Sequence, residues 1–336
     1  MRISIDAMGG DYAPSEIVAG TLQAAEKLQG LEKLFLVGDE SAIKAELSKY
    51  KGTVPSCIEI IHASEVVDMG ESPAVALRRK KDSSISRSVE LVKSGQADAI
   101  FSAGNTGAAV AAATLKLRTL KGVSRPAIAT VMPSEGEPFI LLDAGANPDS
   151  TPEMLQQYAV MGSIYSREIM GIKNPSVGLL SIGEEEAKGN EITKKTFDLL
   201  KHSHLNFIGN VEGRDLFGGR VNVAVCDGFV GNVVLKTSEA VAGMIKRFLQ
   251  QMFRKNIFRI LGYLLAKGVF KDMRTKADPS SYGGAPLLGA NGVVIIGHGS
   301  SSAFAVYNAI RVASEAVDHD LNHLIEDELS RISDGS

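Results

Sequence analysis

The residues best suited to chemistry in this chain sit in seven short turns of Gly, Asn and Asp, most of them directly after an apolar run. They are Ile5-Asp6-Ala7-Met8-Gly9-Gly10-Asp11, Ser102-Ala103-Gly104-Asn105-Thr106-Gly107, Asp143-Ala144-Gly145-Ala146-Asn147, Ile182-Gly183-Glu184, Asp227-Gly228-Phe229-Val230-Gly231-Asn232, Tyr282-Gly283-Gly284-Ala285-Pro286 and Gly297-His298-Gly299-Ser300. A strand that ends in such a turn and feeds a helix presents free backbone N–H groups at the positive end of the helix dipole. That arrangement holds a phosphate or another oxyanion. Several such turns in one chain predict convergence on one cleft above a sheet edge.

Individual side chains sharpen this expectation. Ser102, Gly104, Asn105 and Thr106 supply two hydroxyls, an amide and unencumbered N–H groups, which suits a phosphate cradle and equally a capped helix start. Lys188 precedes Gly189 and Asn190 at an expected helix start, where it either meets an anion or balances Glu184, Glu185 and Glu186. Gly228 allows close backbone approach, Asn232 falls on the first turn of the next helix, and Asp227 is either a site acid or an N-cap. Arg78, Arg79, Lys80 and Lys81 precede Ser83 and Ser84; this run suits a phosphate or an acidic protein, or is simply a solvated face. His298 is the best placed of six histidines, as a proton carrier or as a hydrogen-bonded structural residue.

What is missing narrows the chemistry. There is no Gly-x-Ser-x-Gly elbow, P-loop or His-Glu-x-x-His, and no Gly-x-Gly-x-x-Gly after the first strand. Cys57 and Cys226 are the only cysteines, far apart and without a Cys-x-x-Cys, so no zinc site is expected and a reducing compartment is. A covalent cysteine mechanism has little support. The net charge of −3 offers no global basic field for nucleic acid. The first strand follows Met1 directly, without the apolar stretch of a secretory signal, and no apolar run reaches the roughly 18 residues of a membrane span.

The elements that must position these residues alternate between short apolar runs and helical patterns. Strands are expected at Arg2–Asp6, Leu34–Val37, Ile58–His62, Ala99–Ser102, Ile128–Val131, Phe139–Leu142, Val177–Ser181, Asn206–Ile208, Val221–Val225 and Val293–Gly297. Helices are expected at Ser15–Leu28, Ser41–Lys49, Ser86–Ser94, Gly107–Thr114, Pro152–Met170, Asn190–His202, Val230–Phe253 and Ser301–Asp318. The alternation argues for a largely parallel sheet covered on both faces. Pro126–Asp143 leaves no room for a crossover helix and reads as an antiparallel hairpin, so the sheet is expected to be mixed. With 336 residues, the chain forms one α/β/α unit over 1–336 or two lobes.

One stretch departs from the pattern. Ala240–Lys271 holds no acidic residue but carries Lys246, Arg247, Arg254, Lys255, Arg259, Lys267 and Lys271. Apolar residues repeat at helical spacing through Phe253 and again from Ile257 to Leu265. Two amphipathic helices meeting near Arg254–Asn256, within an insertion at 236–278, would present Ile257, Phe258, Leu261, Leu264 and Leu265 with several cations. Such a tip serves an anionic membrane surface, a twin of this chain, or both.

The turns already quoted, together with Glu71-Ser72-Pro73, Lys80-Lys81-Asp82-Ser83-Ser84, Lys188-Gly189-Asn190 and Tyr282–Gly289, resemble in order the signature blocks of the bacterial phosphate acyltransferase (PlsX) family along nearly the whole chain. The resemblance implies a three-layer α/β/α fold with a mixed, mostly parallel sheet, related to isocitrate/isopropylmalate dehydrogenases and phosphotransacetylases. It implies transfer of a long-chain acyl group from acyl-[acyl-carrier protein] to inorganic phosphate, with no cofactor or metal. The acyl phosphate would feed a membrane glycerol-3-phosphate acyltransferase. A homodimer is implied too, cytoplasmic and peripherally associated with the membrane. On this reading Lys188, Asn232 and Asp227 are catalytic. Ser83, Ser84, Ser102, Gly104, Asn105, Thr106, Asn190, Gly228 and His298 bind phosphate or substrate, and Arg78–Lys81 docks the acidic carrier protein. The rivals are a coenzyme A-dependent phosphate acetyltransferase, an NAD-dependent decarboxylating dehydrogenase, which needs a carboxylate cluster for a divalent metal, and a lipid-binding adaptor.

Overall fold

The computed structural model describes residues 1–277 and 279–334, and for 274–277, 279 and 332–334 the backbone alone. Its strands are β1 (Arg2–Asp6), β2 (Lys33–Gly38), β3 (Ile58–His62), β4 (Ala99–Ser102), β5 (Ala127–Met132), β6 (Phe139–Leu142), β7 (Val177–Leu180), β8 (Phe207–Val211), β9 (Val223–Val225), β10 (Ala285–Leu288) and β11 (Val293–Ile296). The helices are α1 (Ser15–Lys27), α2 (Glu40–Leu47), α3 (Pro73–Arg79), α4 (Ser84–Lys93), α5 (Thr106–Lys116), α6 (Pro152–Glu168), α7 (Glu191–Lys201), α8 (Gly213–Phe217), α9 (Gly228–Phe253), α10 (Ile257–Leu265), α11 (Lys267–Ala277), α12 (Ala303–Asp318) and α13 (Leu321–Asp334).

All eleven strands form one sheet in the order β3-β2-β1-β4-β11-β10-β5-β6-β9-β7-β8. Helices cover both faces, giving the three-layer α/β/α sandwich that the strand–helix alternation predicts. The central strands are buried on both faces, from Ile3 and Ile5 through Phe101 to Ile140 and Leu142, as strands between two helical layers must be. The expected hairpin forms: β5 and β6 pair antiparallel, Ala129 against Leu142 and Met132 against Phe139. Strand β10 was not expected, because Gly283, Gly284 and Pro286 read as a turn. It forms nonetheless, antiparallel to both β11 and β5.

Those antiparallel pairings decide where the turns go. Strands β3, β2, β1, β4 and β11 run parallel to one another. The steps β11–β10, β10–β5 and β5–β6 each reverse direction, so β6, β9, β7 and β8 run parallel to each other and opposite to β1. The turns after β1, β4 and β11 therefore leave in one direction and those after β6, β7 and β9 in the other. The strands are staggered, however, so Asp143 lies level with Ile100, two residues short of Ser102, and the turn after β6 opens beside the turn after β4.

Local signals set the helices that carry the site. Thr151 Oγ1 accepts from the Met154 N–H and Pro152 takes the first position of α6, with Gly171 in the left-handed region after its end. Asn105, Asn190 and Asp227 cap α5, α7 and α9 in the same way. The basic segment departs from the expected pair of helices. The break falls at Arg254–Asn256 as expected, but α10 ends at Leu265 and a third helix, α11, follows. Phe253, Tyr263 and Phe270, with ring centroids 5.3 Å apart, pack the three together. Residue 278, the end of the expected insertion, lies outside the described residues.

Candidate active site

Asp143 organises the centre of the site. It is fully buried at the end of β6, and its Oδ1 accepts N–H groups from Ile128 (3.1 Å), Gly145 (2.9 Å) and Ala146 (2.9 Å). Its Oδ2 accepts the Asn147 N–H (2.7 Å) and Asn147 Nδ2 (3.0 Å). Burial pushes its carboxyl upward and these donors oppose the shift. The carboxylate is thus used up in shaping the turn from Asp143 to Asn147.

Helix α9 is pressed against this turn by two glycines. A Cβ on Gly228 would lie 2.7 Å from the Asn147 carbonyl oxygen and 2.8 Å from Asp143 Oδ2; one on Gly231 would lie 1.9 Å from the Asp143 carbonyl oxygen. The Gly228 N–H donates to the Asn147 carbonyl at 2.8 Å. This contact sets Asn232, the fifth residue of α9, with its Cβ and Cγ 3.4–3.5 Å from where a Gly145 side chain would begin.

Between α5 and this turn lies a cavity of about 640 Å³. Thr106, Asn147 and Asn232 give it polar walls; Val110, Ala111, Leu115, Ile128 and Ala144 give it apolar ones, and Arg125 and Pro126 also line it. Strand register sets Asp143 level with Ile128, Leu287, Val294 and Ile100, only two residues short of Ser102 at the end of β4. That is how Thr106, from the turn after β4, and Asn232, from the turn after β9, come to line one cavity.

Lys188 lies in the exposed loop between β7 and α7. Since β7 is parallel to β9 and β9 to β6, this loop leaves the sheet at the same end as the Asp143 and Asp227 turns. The neighbouring glutamates do not neutralise Lys188: Glu184 pairs with Arg214 (2.8 Å) and Arg220 (3.4 Å), and Glu186 with Lys201 (3.1 Å). Asn210 Nδ2 ties the loop down by donating to the Glu185 carbonyl at 3.0 Å.

Several residues expected to bind substrate have their polar atoms committed elsewhere. Asn105 Oδ1 caps α5 through the Ala108 N–H (2.9 Å), and its Nδ2 donates to the carbonyls of Asp68, Met69 and Glu71. Its amide is therefore a structural clamp, not a phosphate ligand. Ser102 Oγ donates to buried Asp6 (2.7 Å) and accepts the Gly104 N–H (3.2 Å), which withdraws both from a cradle. Ser83 and Ser84 are buried, Ser84 hydrogen-bonded to Asp6, so neither hydroxyl reaches solvent. Burial pushes the Asp6 carboxyl up against these hydroxyl bonds.

Lys80 pairs with Glu71 and donates to the Val66 carbonyl (2.6 Å), so it leaves the expected docking run; Arg78, Arg79 and Lys81 remain exposed without ion pairs to described residues. Asn190 Oδ1 caps α7 through the Thr193 N–H and Asp227 Oδ1 caps α9 through the Val230 N–H. His298 Nδ1 is engaged with Ser300 in the turn after β11, and His298 is not among the residues lining the cavity. Cys226 is buried and its thiol is pushed well up, first by burial and then by the charges of Asp227 and Asp143, which removes it as a thiolate nucleophile. Among the described residues no three His, Cys, Asp or Glu side chains are grouped to hold a metal ion.

Sequence reasoning passed over Asn147 and Arg125 as individual residues. Asn147 closes the quoted Asp143 turn, and Arg125 stands directly before Pro126 and the buried strand β5, so the signal in both cases was adjacency to a recognised element.

The fold is shared with solved acyl-transfer enzymes. It matches a phosphotransacetylase from Streptococcus pyogenes with a TM-score of 0.63 at 20% identity, over 95% of this chain and 94% of that one. A branched-chain phosphotransacylase from Enterococcus faecalis matches at 0.58 and 15%, over 94% and 99%. The protein thus has the three-layer α/β/α architecture of the phosphotransacetylases. The family described as "Fatty acid synthesis protein" matches residues 1–324. Proteins named phosphate acyltransferase from Pelotomaculum thermopropionicum and Halothermothrix orenii are 52% and 51% identical over 332 and 333 residues. They cover 99% and 98% of this chain, and the matches span 95% and 99% of those proteins. The chain belongs to the phosphate acyltransferase (PlsX) family and is an acyltransferase.

Proposed function

We propose that the protein transfers a long-chain fatty acyl group from acyl-[acyl-carrier protein] to inorganic phosphate. The observation that carries this reading is the cavity beside α5, which joins polar walls at Thr106, Asn147 and Asn232 to an apolar wall at Val110, Ala111, Leu115 and Ile128. An acyl chain with a reacting carbonyl next to an oxyanion has the same two-part character.

Phosphate is already a nucleophile at neutral pH, so no serine or cysteine attack is needed. A phosphate oxygen attacks the thioester carbonyl carbon, the tetrahedral oxyanion collapses, and the C–S bond breaks. The products are acyl phosphate and carrier thiol; the proton of the attacking hydrogen phosphate balances the thiol. The enzyme's part is to align two reactants and stabilise the oxyanion. The unpaired Lys188 ammonium supplies the charge, while Asn232 and the Thr106 hydroxyl orient phosphate. Asp227 acts by holding α9 in register as its N-cap. Arg78, Arg79 and Lys81 offer an exposed cationic face to the acidic carrier protein.

The acyl phosphate leaves toward a membrane, where a glycerol-3-phosphate acyltransferase consumes it. Helix α9, about 39 Å long, leaves Val233, Val241, Met244, Ile245, Phe248 and Met252 exposed. A second copy of the chain covers this face in a homodimer. Helix α10 serves an anionic bilayer: Phe258 is 81% and Leu265 89% exposed, with Ile257, Leu261 and Leu264 beside them and Arg254, Lys255 and Lys267 around them. No described helix is long and apolar enough to cross a membrane.

The test is phosphate-dependent release of carrier thiol from a long-chain acyl donor. Release without phosphate, or equal activity with acetyl-coenzyme A, overturns the reading.

A further inference from the structure

We propose that Arg125 is an oxyanion-binding residue of the α5 cavity, a site that depends on the reading of the reaction given above for its role in turnover but not for its ability to bind an anion. Arg125 lines the cavity together with Thr106, Asn147 and Asn232. It is exposed, and its guanidinium makes no hydrogen bond or ion pair with another described residue. A planar, always-charged fork beside hydroxyl and amide groups is the side chain best shaped for a phosphate or carboxylate.

The backbone that carries it is fixed on both sides. The Ser124 N–H donates to Gln157 Oε1 at 2.9 Å, and the Pro126 carbonyl accepts Asn147 Nδ2 at 2.8 Å. The second bond ties the base of Arg125 to the Asp143 turn, so the guanidinium is launched from a rigid support shared with Asn147. The acid at the start of the turn that lines the cavity is Asp143. That carboxylate is fully buried and saturated by N–H groups from Ile128, Gly145, Ala146 and Asn147, so its charge is spent on the backbone. A cation without a partner among the described residues, in a cavity whose other polar groups are neutral, is an incomplete ion pair that an anionic ligand completes.

Two anions of this chemistry enter the reaction: the attacking inorganic phosphate, and the phosphodiester of a phosphopantetheine-type arm on the acyl donor. The geometry favours the first, because Asn232 and Thr106 share the cavity with Arg125.

The experiment compares the wild type with Arg125→Gln and Arg125→Lys. Binding of inorganic phosphate alone is measured by calorimetry, and KM is measured separately for phosphate, for the acyl-carrier donor and for an acyl-pantetheine donor lacking the phosphodiester. Arg125→Gln should weaken phosphate binding and raise the phosphate KM roughly 10- to 100-fold, the scale of one charge-assisted hydrogen-bonded contact. Arg125→Lys should fall between, since it keeps the charge and loses the fork. If only the acyl-carrier KM rises, and the acyl-pantetheine KM does not, the anion is the phosphodiester and the site stands. Unchanged phosphate binding together with unchanged KM values for all three substrates overturns the proposal. Weakened phosphate binding in Arg125→Gln, in an enzyme whose wild type shows no phosphate-dependent thiol release, would leave the anion site standing and remove the proposed reaction instead.

Discussion

Gly231→Ala tests the idea that contact between α9 and the Asp143 turn builds the site. The added Cβ would lie 1.9 Å from the Asp143 carbonyl oxygen, 2.9 Å from its carbonyl carbon and 3.1 Å from Cys226 Sγ. Unstrained carbon contacts sit near 3.5–4.0 Å, so α9 and the turn must separate by more than about 1 Å. The backbone atoms at fault belong to a turn pinned through five N–H bonds to Asp143, which leaves α9 as the element that moves, carrying Asn232 with it. Overpacking of this kind costs about 1–3 kcal/mol of stability, and a displacement of about 1 Å at a reacting group costs on the order of 10²-fold in rate. The assay pairs urea unfolding with phosphate-dependent thiol release. Gly262→Ala is the control: nothing lies within 4 Å of a Cβ there, and it sits inside α10. It should leave turnover alone and gain up to about 1 kcal/mol in helix propensity. If Gly231→Ala keeps wild-type stability and turnover, the glycine contact does not position Asn232 and the reasoning is wrong.

Four further outcomes follow from the same structure. Lys188→Ala should lower turnover on the order of 10²-fold with the fold intact; near-normal turnover removes Lys188 from the mechanism. Asn105→Ala should act mainly on stability, losing a helix cap worth about 1 kcal/mol and orphaning three carbonyls, and a pure rise in the phosphate KM without loss of stability would restore it as a ligand. Leu261→Glu with Leu264→Glu should abolish binding to anionic vesicles while soluble turnover and the wild-type oligomeric state persist; a smaller species than wild type in sedimentation would make α10 an interface between copies. Asp82 accepts from Ser64 Oγ (2.6 Å), the Ser64 N–H (3.0 Å) and Arg87 Nε (2.5 Å), which hold its carboxyl below the usual range. A depressed folded value contributes stability above the unfolded value near 3.9 that is lost as pH falls through the folded one. Asp82→Asn should therefore be less stable than wild type at pH 6, with the gap narrowing on acidification below about pH 4. A gap that is constant with pH in thermal melts contradicts this.

The sequence by itself determined the layers, the hairpin and the chemistry class. Ten of the strands are visible as apolar runs, because a strand buried on both faces leaves a compositional mark that needs no partner to read. The caps Asn105, Thr151 and Asp227 act within three residues of themselves and were equally legible. The break in the basic arm was marked by Arg254–Asn256, and the block order pointed to the family. The tertiary structure alone decided which of the marked residues act together. Strand β10, hidden by Gly283, Gly284 and Pro286, inserts between β11 and β5 antiparallel to both, so those two strands share a direction and the β5–β6 hairpin supplies the net reversal. Pairings between residues more than a hundred positions apart, Leu287 with Ile128 and Val294 with Ile100, then set Asp143 within two residues of the level of Ser102, which brings the turns carrying Thr106, Asn147 and Asn232 to one cavity. Long-range partners also settled which polar groups were free. Asn105 and Lys80 look like ligands until the carbonyls of Asp68–Glu71 and the carboxylate of Glu71 are brought to them. Arg125, inconspicuous in the sequence, stands out because no described residue pairs with it. A side chain's type is local information, whereas its unmet hydrogen-bonding and charge are set by whatever the fold places beside it.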